Sequence, residues 1–182
     1  MKKDVRKKAA KIRLLALDVD GVLTDGRIFI GEQGEIAKVF HVHDGLGMAA
    51  AQRAGLRIAL ITGRNSPSVT NRAAELGITD VYQGVKDKTK VLAQLAVQYA
   101  LVPEEIAYAG DDLNDLPALA WVGLPCAVAN AVDEVRRAAS WVTRLGGGQG
   151  AVRELVEGIL VAQDRWETIV AGYQEEKYNI CQ

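Results

Sequence analysis

Cysteine is nearly absent from this chain. Cys126 and Cys181 are its only two, far apart and in no metal-binding or redox spacing. That excludes a disulfide framework and a cysteine-based metal cluster. Cys126, set in an apolar run, reads as a small core residue. Net charge is almost absent too, since 22 Lys and Arg against 23 Asp and Glu leave −1. Such a balance gives no electrostatic footprint for nucleic acid or an anionic membrane. No apolar stretch approaches the roughly 20 residues of a membrane-spanning helix. The basic start (Lys2, Lys3, Arg6, Lys7, Lys8, Lys11) lacks the apolar segment of a secretory signal, because Lys11 and Arg13 interrupt it. It reads as a solvated helical turn, and the chain reads as cytoplasmic. Repeats and low-complexity linkers are also missing, so residues 1–182 are expected to form one domain with a substantial core.

What is present is an alternation. Short apolar runs at Ile12–Leu17, Arg57–Ile61, Asp80–Tyr82, Ile106–Ala109 and around Trp121–Val128 read as strands. Helical patterns lie at about Gly45–Ala54, Pro67–Leu76, Lys88–Tyr99, Asn114–Ala120 and Val132–Ala139. A longer one runs from Gly150 to Ala162 and can continue to Tyr173. This order predicts an α/β fold, a Rossmann-like parallel sheet flanked by helices on both faces. Gly55 and Gly77 fall where helices should stop. The segment Arg27–Phe40 breaks the rhythm and reads as a small β-hairpin insertion around Gly31-Glu32-Gln33-Gly34. Gly146-Gly147-Gly148-Gln149-Gly150 reads as a flexible loop.

The chemistry concentrates at strand ends. Leu14-Leu15-Ala16-Leu17 runs straight into Asp18-Val19-Asp20-Gly21. Burying charge costs several kcal/mol unless a cation or hydrogen-bond donors compensate it. The acid pair therefore points to a metal site or a reacting group, although an acidic loop after a strand gives the same local pattern. Thr62-Gly63-Arg64-Asn65-Ser66-Pro67 puts a hydroxyl and free N–H groups at a helix start, which suits an oxyanion. An ordinary junction with Ser66 as N-cap is the alternative. Lys88 opens the next helix, where a cation opposes the macrodipole unless it reaches an anion, and Lys86 competes for that role. In Gly110-Asp111-Asp112-Leu113-Asn114-Asp115, N-capping by Asp112 accounts for one acid, while three so close together call for a cation. All four segments converge on the carboxyl edge of one parallel sheet, where open α/β sheets bind ligands. Mg²⁺ prefers carboxylate and water oxygens, Lys88 and Thr62 suit phosphoryl oxygens, and Asp18 is left to attack phosphorus.

Asp18-Val19-Asp20-Gly21-Val22-Leu23-Thr24, Thr62-Gly63, Lys88 and Gly110-Asp111-Asp112 resemble the four motifs of the haloacid dehalogenase superfamily of phosphatases. The resemblance implies that Asp18 forms an aspartyl-phosphate and that Asp20 acts as general acid, then base. It implies phosphoryl binding by Thr62, Gly63 and Lys88. Mg²⁺ would be held by Asp18, the backbone carbonyl of Asp20, and Asp111, with Asp112 and Asp115 completing the acidic cluster around it. The intervals from Asp18 to Thr62 and from Thr62 to Lys88 leave no room for an inserted cap domain of about 50 residues.

Further likeness, over about Ile12 to Ala162, is to the capless sugar-acid phosphate phosphatases of that superfamily. It rests on Leu23-Thr24-Asp25-Gly26, Lys38-Val39-Phe40-His41-Val42-His43-Asp44-Gly45, Gln83-Gly84-Val85-Lys86-Asp87-Lys88 and Gly147-Gly148-Gln149-Gly150-Ala151-Val152-Arg153-Glu154. This branch implies an eight-carbon sugar-acid 8-phosphate as substrate, in lipopolysaccharide precursor synthesis. It implies a homotetramer whose hairpins form a central barrel, so that a neighbouring subunit roofs each site, and a tail, Trp166–Gln182, that can reach toward a neighbouring site. Substrate contacts are implied at Arg64, Arg72 and His43, the last where the family commonly has arginine. Relatives acting on nine-carbon sugar acids tend to carry an acid after Thr-Gly; here stands Arg64, whose guanidinium suits a carboxylate. Surface salt-bridging is the alternative for Arg64 and Arg72, and a hairpin-end position for His41 and His43. A phosphoryl-accepting signalling receiver uses similar residue types, but its acceptor aspartate follows the third strand, where this chain has Gly84-Val85-Lys86.

Overall fold

A computed structural model describes residues 1–175. The basic start forms α1 (Lys3–Ala9), which buries Val5 and Ala9. After β1 (Leu14–Leu17) the hairpin strands β2 (Phe29–Gly31) and β3 (Gly34–Ala37) pair antiparallel. Then follow α2 (Val42–Arg53), β4 (Arg57–Ile61), α3 (Pro67–Glu75), β5 (Asp80–Tyr82), α4 (Lys88–Tyr99) and β6 (Ile106–Gly110). The chain continues with α5 (Leu116–Trp121), β7 (Leu124–Ala127), α6 (Asp133–Ala138), β8 (Trp141–Val142), α7 (Ala151–Ala162) and α8 (Trp166–Gln174).

Six strands form one sheet in the order β5-β4-β1-β6-β7-β8, with every pairing parallel. Strands buried on both faces must be apolar throughout, and Leu14–Leu17 is buried at every position. Helices α1, α2, α7 and α8 pack together as one layer, and α4, α5 and α6 as another. From central β1 the chain builds outward through β4 and β5, then returns to lay β6, β7 and β8 on the other side. The strand order thus reverses beside β1, and its carboxyl end opens onto the crevice that such a reversal creates.

Several boundaries differ from the sequence expectation. Trp121 belongs to the end of α5 rather than to a strand, because an apolar run alone cannot distinguish a strand start from a buried helix end. The short edge strand β8 carries too few residues to show a period. Helix α7 does not run on to Tyr173: Asp164 takes a left-handed φ of 56°, and the Gln163 amide donates to the carbonyls of Ile12 and Ala9. The expected tail begins as helix α8, and its end, residues 176–182 including Cys181, lies outside the described residues.

The loop Gly146–Gly150 is not loose either. A Cβ at Gly147 would stand 1.7 Å from the Gly21 carbonyl oxygen, and one at Gly148 would stand 2.6 Å from the Asp25 nitrogen. Gly148 N–H donates to the Val22 carbonyl at 3.1 Å. These glycines are therefore a packing surface on which the loop after β1 rests.

Candidate active site

The loop after β1 is a tight helical turn in which the Val19 carbonyl accepts from the N–H groups of Val22, Leu23 and Thr24. The buried Thr24 hydroxyl accepts from the Gly21 and Gly26 N–H groups. Gly21 has φ 85°, and a Cβ there would stand 1.9 Å from Asp111 Oδ2. Only glycine lets the two acid loops approach this closely.

Asp18 is buried at the tip of β1. Its Oδ1 accepts from Val19 N–H at 2.7 Å, and its Oδ2 faces Lys88 Nζ at 2.8 Å. Lys88 is buried and turned back from the first turn of α4, whereas Lys86 is exposed. The same ammonium donates to Asp115 Oδ1 at 2.6 Å. Asp115 is fully buried; its Oδ1 also accepts from the Tyr108 hydroxyl at 2.6 Å, and its Oδ2 from the N–H groups of Asp111 and Asp112. Gly110 makes the room, since a Cβ there would stand 2.4 Å from Asp115 Cγ. Asp112 is exposed and its carboxylate accepts from Leu113 N–H, as an N-cap of the 3₁₀ turn Leu113–Asp115.

Asp18, Asp111 and Asp115 each offer an oxygen, and these oxygens lie within 4.8 Å of one another. Burial pushes the Asp18 carboxyl up to about 6, against the pull of Lys88. Burial, with the charges of Asp18, Asp115 and Asp112, pushes Asp111 up to about 7. Burial opposes the Lys88 charge, but Asp18 and Asp115 hold its ammonium above the ordinary lysine value. Burial and the Asp115 charge lift Tyr108 well above the ordinary phenol value, so it stays a donor. The cluster is thus short of positive charge, and its hard oxygen donors fit a divalent cation of the magnesium type. The four donors on Asp115 fill about all its lone-pair positions, which leaves Asp18 and Asp111 with oxygens to give a metal.

Thr62, Gly63 and Arg64 form the opposite lip of the cleft that Asp18, Asp20 and Asp111 line. Thr62 is buried, and its backbone is tied to the loop after β5 through Tyr82 and Val85. Ser66 stands at the N-cap position of α3, but its hydroxyl donates to Glu35 of the hairpin instead of capping the helix. Lys38 of the hairpin donates to Asp20 Oδ1 and lies 3.1 Å from Glu35 Oε2. Arg64 approaches Glu35 at 3.7 Å and Asp20 at 3.9 Å. The hairpin therefore reaches its own chain's site as well as presenting an outer face. Neither Glu35 nor Lys38 was singled out by sequence reasoning as a site residue, because nothing local shows that a hairpin folds back over a strand end.

Two of the residues expected to contact substrate do not line this chain's own cleft. Arg72 pairs with Glu75 at 2.8 Å and lines a groove between α2 and α3 with Gly45 and Leu46. His43 is exposed in the first turn of α2, where His41 Nδ1 caps the helix by accepting from its N–H. Neither lines the cleft of Asp18 and Asp111.

Residues 77–154 match the model of the haloacid dehalogenase-like hydrolase family. The chain is 48% identical over 162 residues to the 3-deoxy-D-manno-octulosonate 8-phosphate phosphatase of Escherichia coli K12, covering 89% of this chain and 86% of the relative. It belongs to that phosphatase family.

Solved members of the family share its architecture. The Yersinia pestis enzyme superposes with a TM-score of 0.90 at 47% identity, over 92% of this chain and 90% of that one. The Moraxella catarrhalis enzyme, solved in complex with magnesium, phosphate and a KDO molecule, gives 0.92 at 40% identity, over 96% of this chain and all of that one. Among the described residues no cap domain separates the family's motifs, and no helix is long and apolar enough to cross a membrane.

Proposed function

We propose that this chain is the Mg²⁺-dependent phosphatase that hydrolyses 3-deoxy-D-manno-octulosonate 8-phosphate to the free sugar acid and inorganic phosphate. The observation that carries the reading is the buried Asp18–Lys88 pair at 2.8 Å on the carboxyl edge of β1, in a chain 48% identical to a phosphatase of that substrate.

The chain's own residues divide the work. Asp18 Oδ2 attacks phosphorus, the P–O bond to the sugar breaks, and Asp20 gives the leaving alkoxide a proton. Asp20 then takes a proton from the water that attacks the aspartyl-phosphate, which frees phosphate and regenerates Asp18. Lys88, Thr62 and the Gly63 N–H hold the phosphoryl oxygens. Asp18, Asp111 and the Asp20 carbonyl would hold magnesium, which would supply charge neutralisation for the reaction. Arg64, open to solvent at the lip of the cleft, suits the sugar carboxylate.

The hairpin carries exposed Ile28, Phe29, Ile30 and Ile36 in or beside its two short strands. Such a patch with free strand edges favours packing against other copies. This supports a homotetramer built around the hairpins; the cytoplasm is the proposed compartment and a lipopolysaccharide precursor the proposed product, the latter on the likeness to the phosphatase relatives.

The test is phosphate release from three substrates: the eight-carbon sugar-acid 8-phosphate, a nine-carbon sialic-acid-type 9-phosphate and a generic aryl phosphate. The expected result is the highest kcat/KM with the eight-carbon compound. Equal or better turnover of the nine-carbon compound would overturn the substrate assignment.

A further inference from the structure

Tyr108 sits in the middle of β6, fully buried, in register with Ala16 of β1 and Pro125 of β7. Phenylalanine would fill the same space without a polar atom. A buried hydroxyl left without a partner is destabilising, so its presence in a sheet interior calls for a specific bond. The hydroxyl has one, to Asp115 Oδ1 at 2.6 Å.

That oxygen is the one on which Lys88 also rests, at 2.6 Å, while the other end of the contact puts Lys88 Nζ 2.8 Å from Asp18. A lysine terminus is a point charge on a flexible stem, and its position is fixed by the anions around it. Asp115 in turn is fixed from two sides: Tyr108 and Lys88 hold Oδ1, and the backbone N–H groups of Asp111 and Asp112 hold Oδ2. Without the phenol, Oδ1 would answer to Lys88 alone, and the carboxylate could rotate toward it. The ammonium would then follow Asp115 and lose its alignment on Asp18.

We propose that the Tyr108 hydroxyl is a positioning group for phosphoryl transfer, holding Asp115 in the pose that aims Lys88 at Asp18. The proposal rests on the phosphatase reading above. It concerns a hydroxyl that acts through Asp115; the Tyr108 ring, 6.0 Å from Lys88 Nζ, is kept by phenylalanine.

Tyr108→Phe tests it with the full-length chain. The expected result is a kcat about tenfold lower, as for loss of one hydrogen bond to a charged group. The Mg²⁺-loaded variant should bind inorganic phosphate about tenfold more weakly by calorimetry. Its Mg²⁺ affinity without phosphate should stay within about twofold of the parent. In an Asp115→Asn background the same substitution should change phosphate binding no further. A variant that unfolds, or one that keeps the parent's kcat and phosphate affinity, overturns the proposal, because the hydroxyl would then serve the fold alone. Equal losses in both backgrounds would also overturn it. Failure of the phosphatase reading would look different, as the unsubstituted chain would release no phosphate from the sugar-acid substrate.

Discussion

Lys88 Nζ lies 2.8 Å from Asp18 Oδ2, yet this ammonium does not bring the acid cluster to ordinary acidity. Asp18, buried, stands at about 6 and Asp111, half-buried, at about 7, chiefly because each is partly withdrawn from water. In the metal-free chain the folded state therefore holds protons that the unfolded state releases near pH 4. Metal-free stability should rise as pH falls from 8 toward 5, through these two groups. Mg²⁺ binding has the opposite sign, since bound carboxylates must be ionised. Calorimetry should show Mg²⁺ affinity at pH 5.5 at least about tenfold weaker than at pH 8, flattening above pH 7. An affinity that does not vary with pH would contradict the picture of two proton-holding ligands.

Gly147 meets Gly21 so closely that a methyl group has no place to go, at 1.7 Å from a backbone oxygen. Gly147→Ala should push the Asp18–Gly21 loop out of position, cost about 2 kcal/mol or more of stability, and reduce turnover over tenfold. Gly55 offers the comparison: it has φ 79° with nothing near its absent Cβ. Gly55→Ala should cost only about 1–2 kcal/mol of backbone strain and leave kcat unchanged. Thermal melts and steady-state rates on the pair separate collision from strain.

Asp44 caps a helix far along the chain. Its carboxylate accepts from Arg153 N–H at 2.7 Å and Gly150 N–H at 3.3 Å, satisfying the N-terminus of α7 from within α2. Asp44→Ala should lower stability by about 1–2 kcal/mol, and Asp44→Asn should recover part of that loss. A melting temperature unchanged in both variants would show that the cap carries no weight.

Glu35 fastens the hairpin to the phosphate-side loop through Ser66, with Lys38 and Arg64 beside it. Loosening this clasp should disturb the Arg64 lip of the cleft more than Asp18 and Lys88. Glu35→Ala should raise KM about fivefold or more with a smaller change in kcat, and should speed proteolysis within 27–40. Unchanged KM and unchanged cleavage would rule out the clasp.

Much of this was legible from local pattern. Apolar runs that end in acids, Thr-Gly or a lysine mark strand ends at one sheet edge. Asp80–Tyr82, Arg57–Ile61 and Lys88–Tyr99 fall where periodicity and turn residues put them. What was hidden depends on partners distant in sequence. The donors to Asp44 lie at Gly150 and Arg153, Gly147 reads as loose until Gly21 is seen against it, and Tyr108 looks like any core aromatic until Asp115 turns back to it. Arg72 and His43 lie outside the cleft lining, and position in a motif says nothing of which way α2 and α3 turn their side chains. Trp121 and Asp164 show the remaining gap, because one turn of backbone decides each and no period of either kind records it.

If the phosphoryl group passes through Asp18, chemical trapping will find it on that residue. The chain with Mg²⁺ is mixed with the eight-carbon sugar-acid 8-phosphate, quenched in acid within one turnover, reduced with borohydride and digested. The expected result is conversion of residue 18 to homoserine in the Ile12–Asp20 region, abolished together with turnover in Asp18→Asn. Phosphate release at the parent's rate by Asp18→Asn, or trapping at another residue, would contradict it.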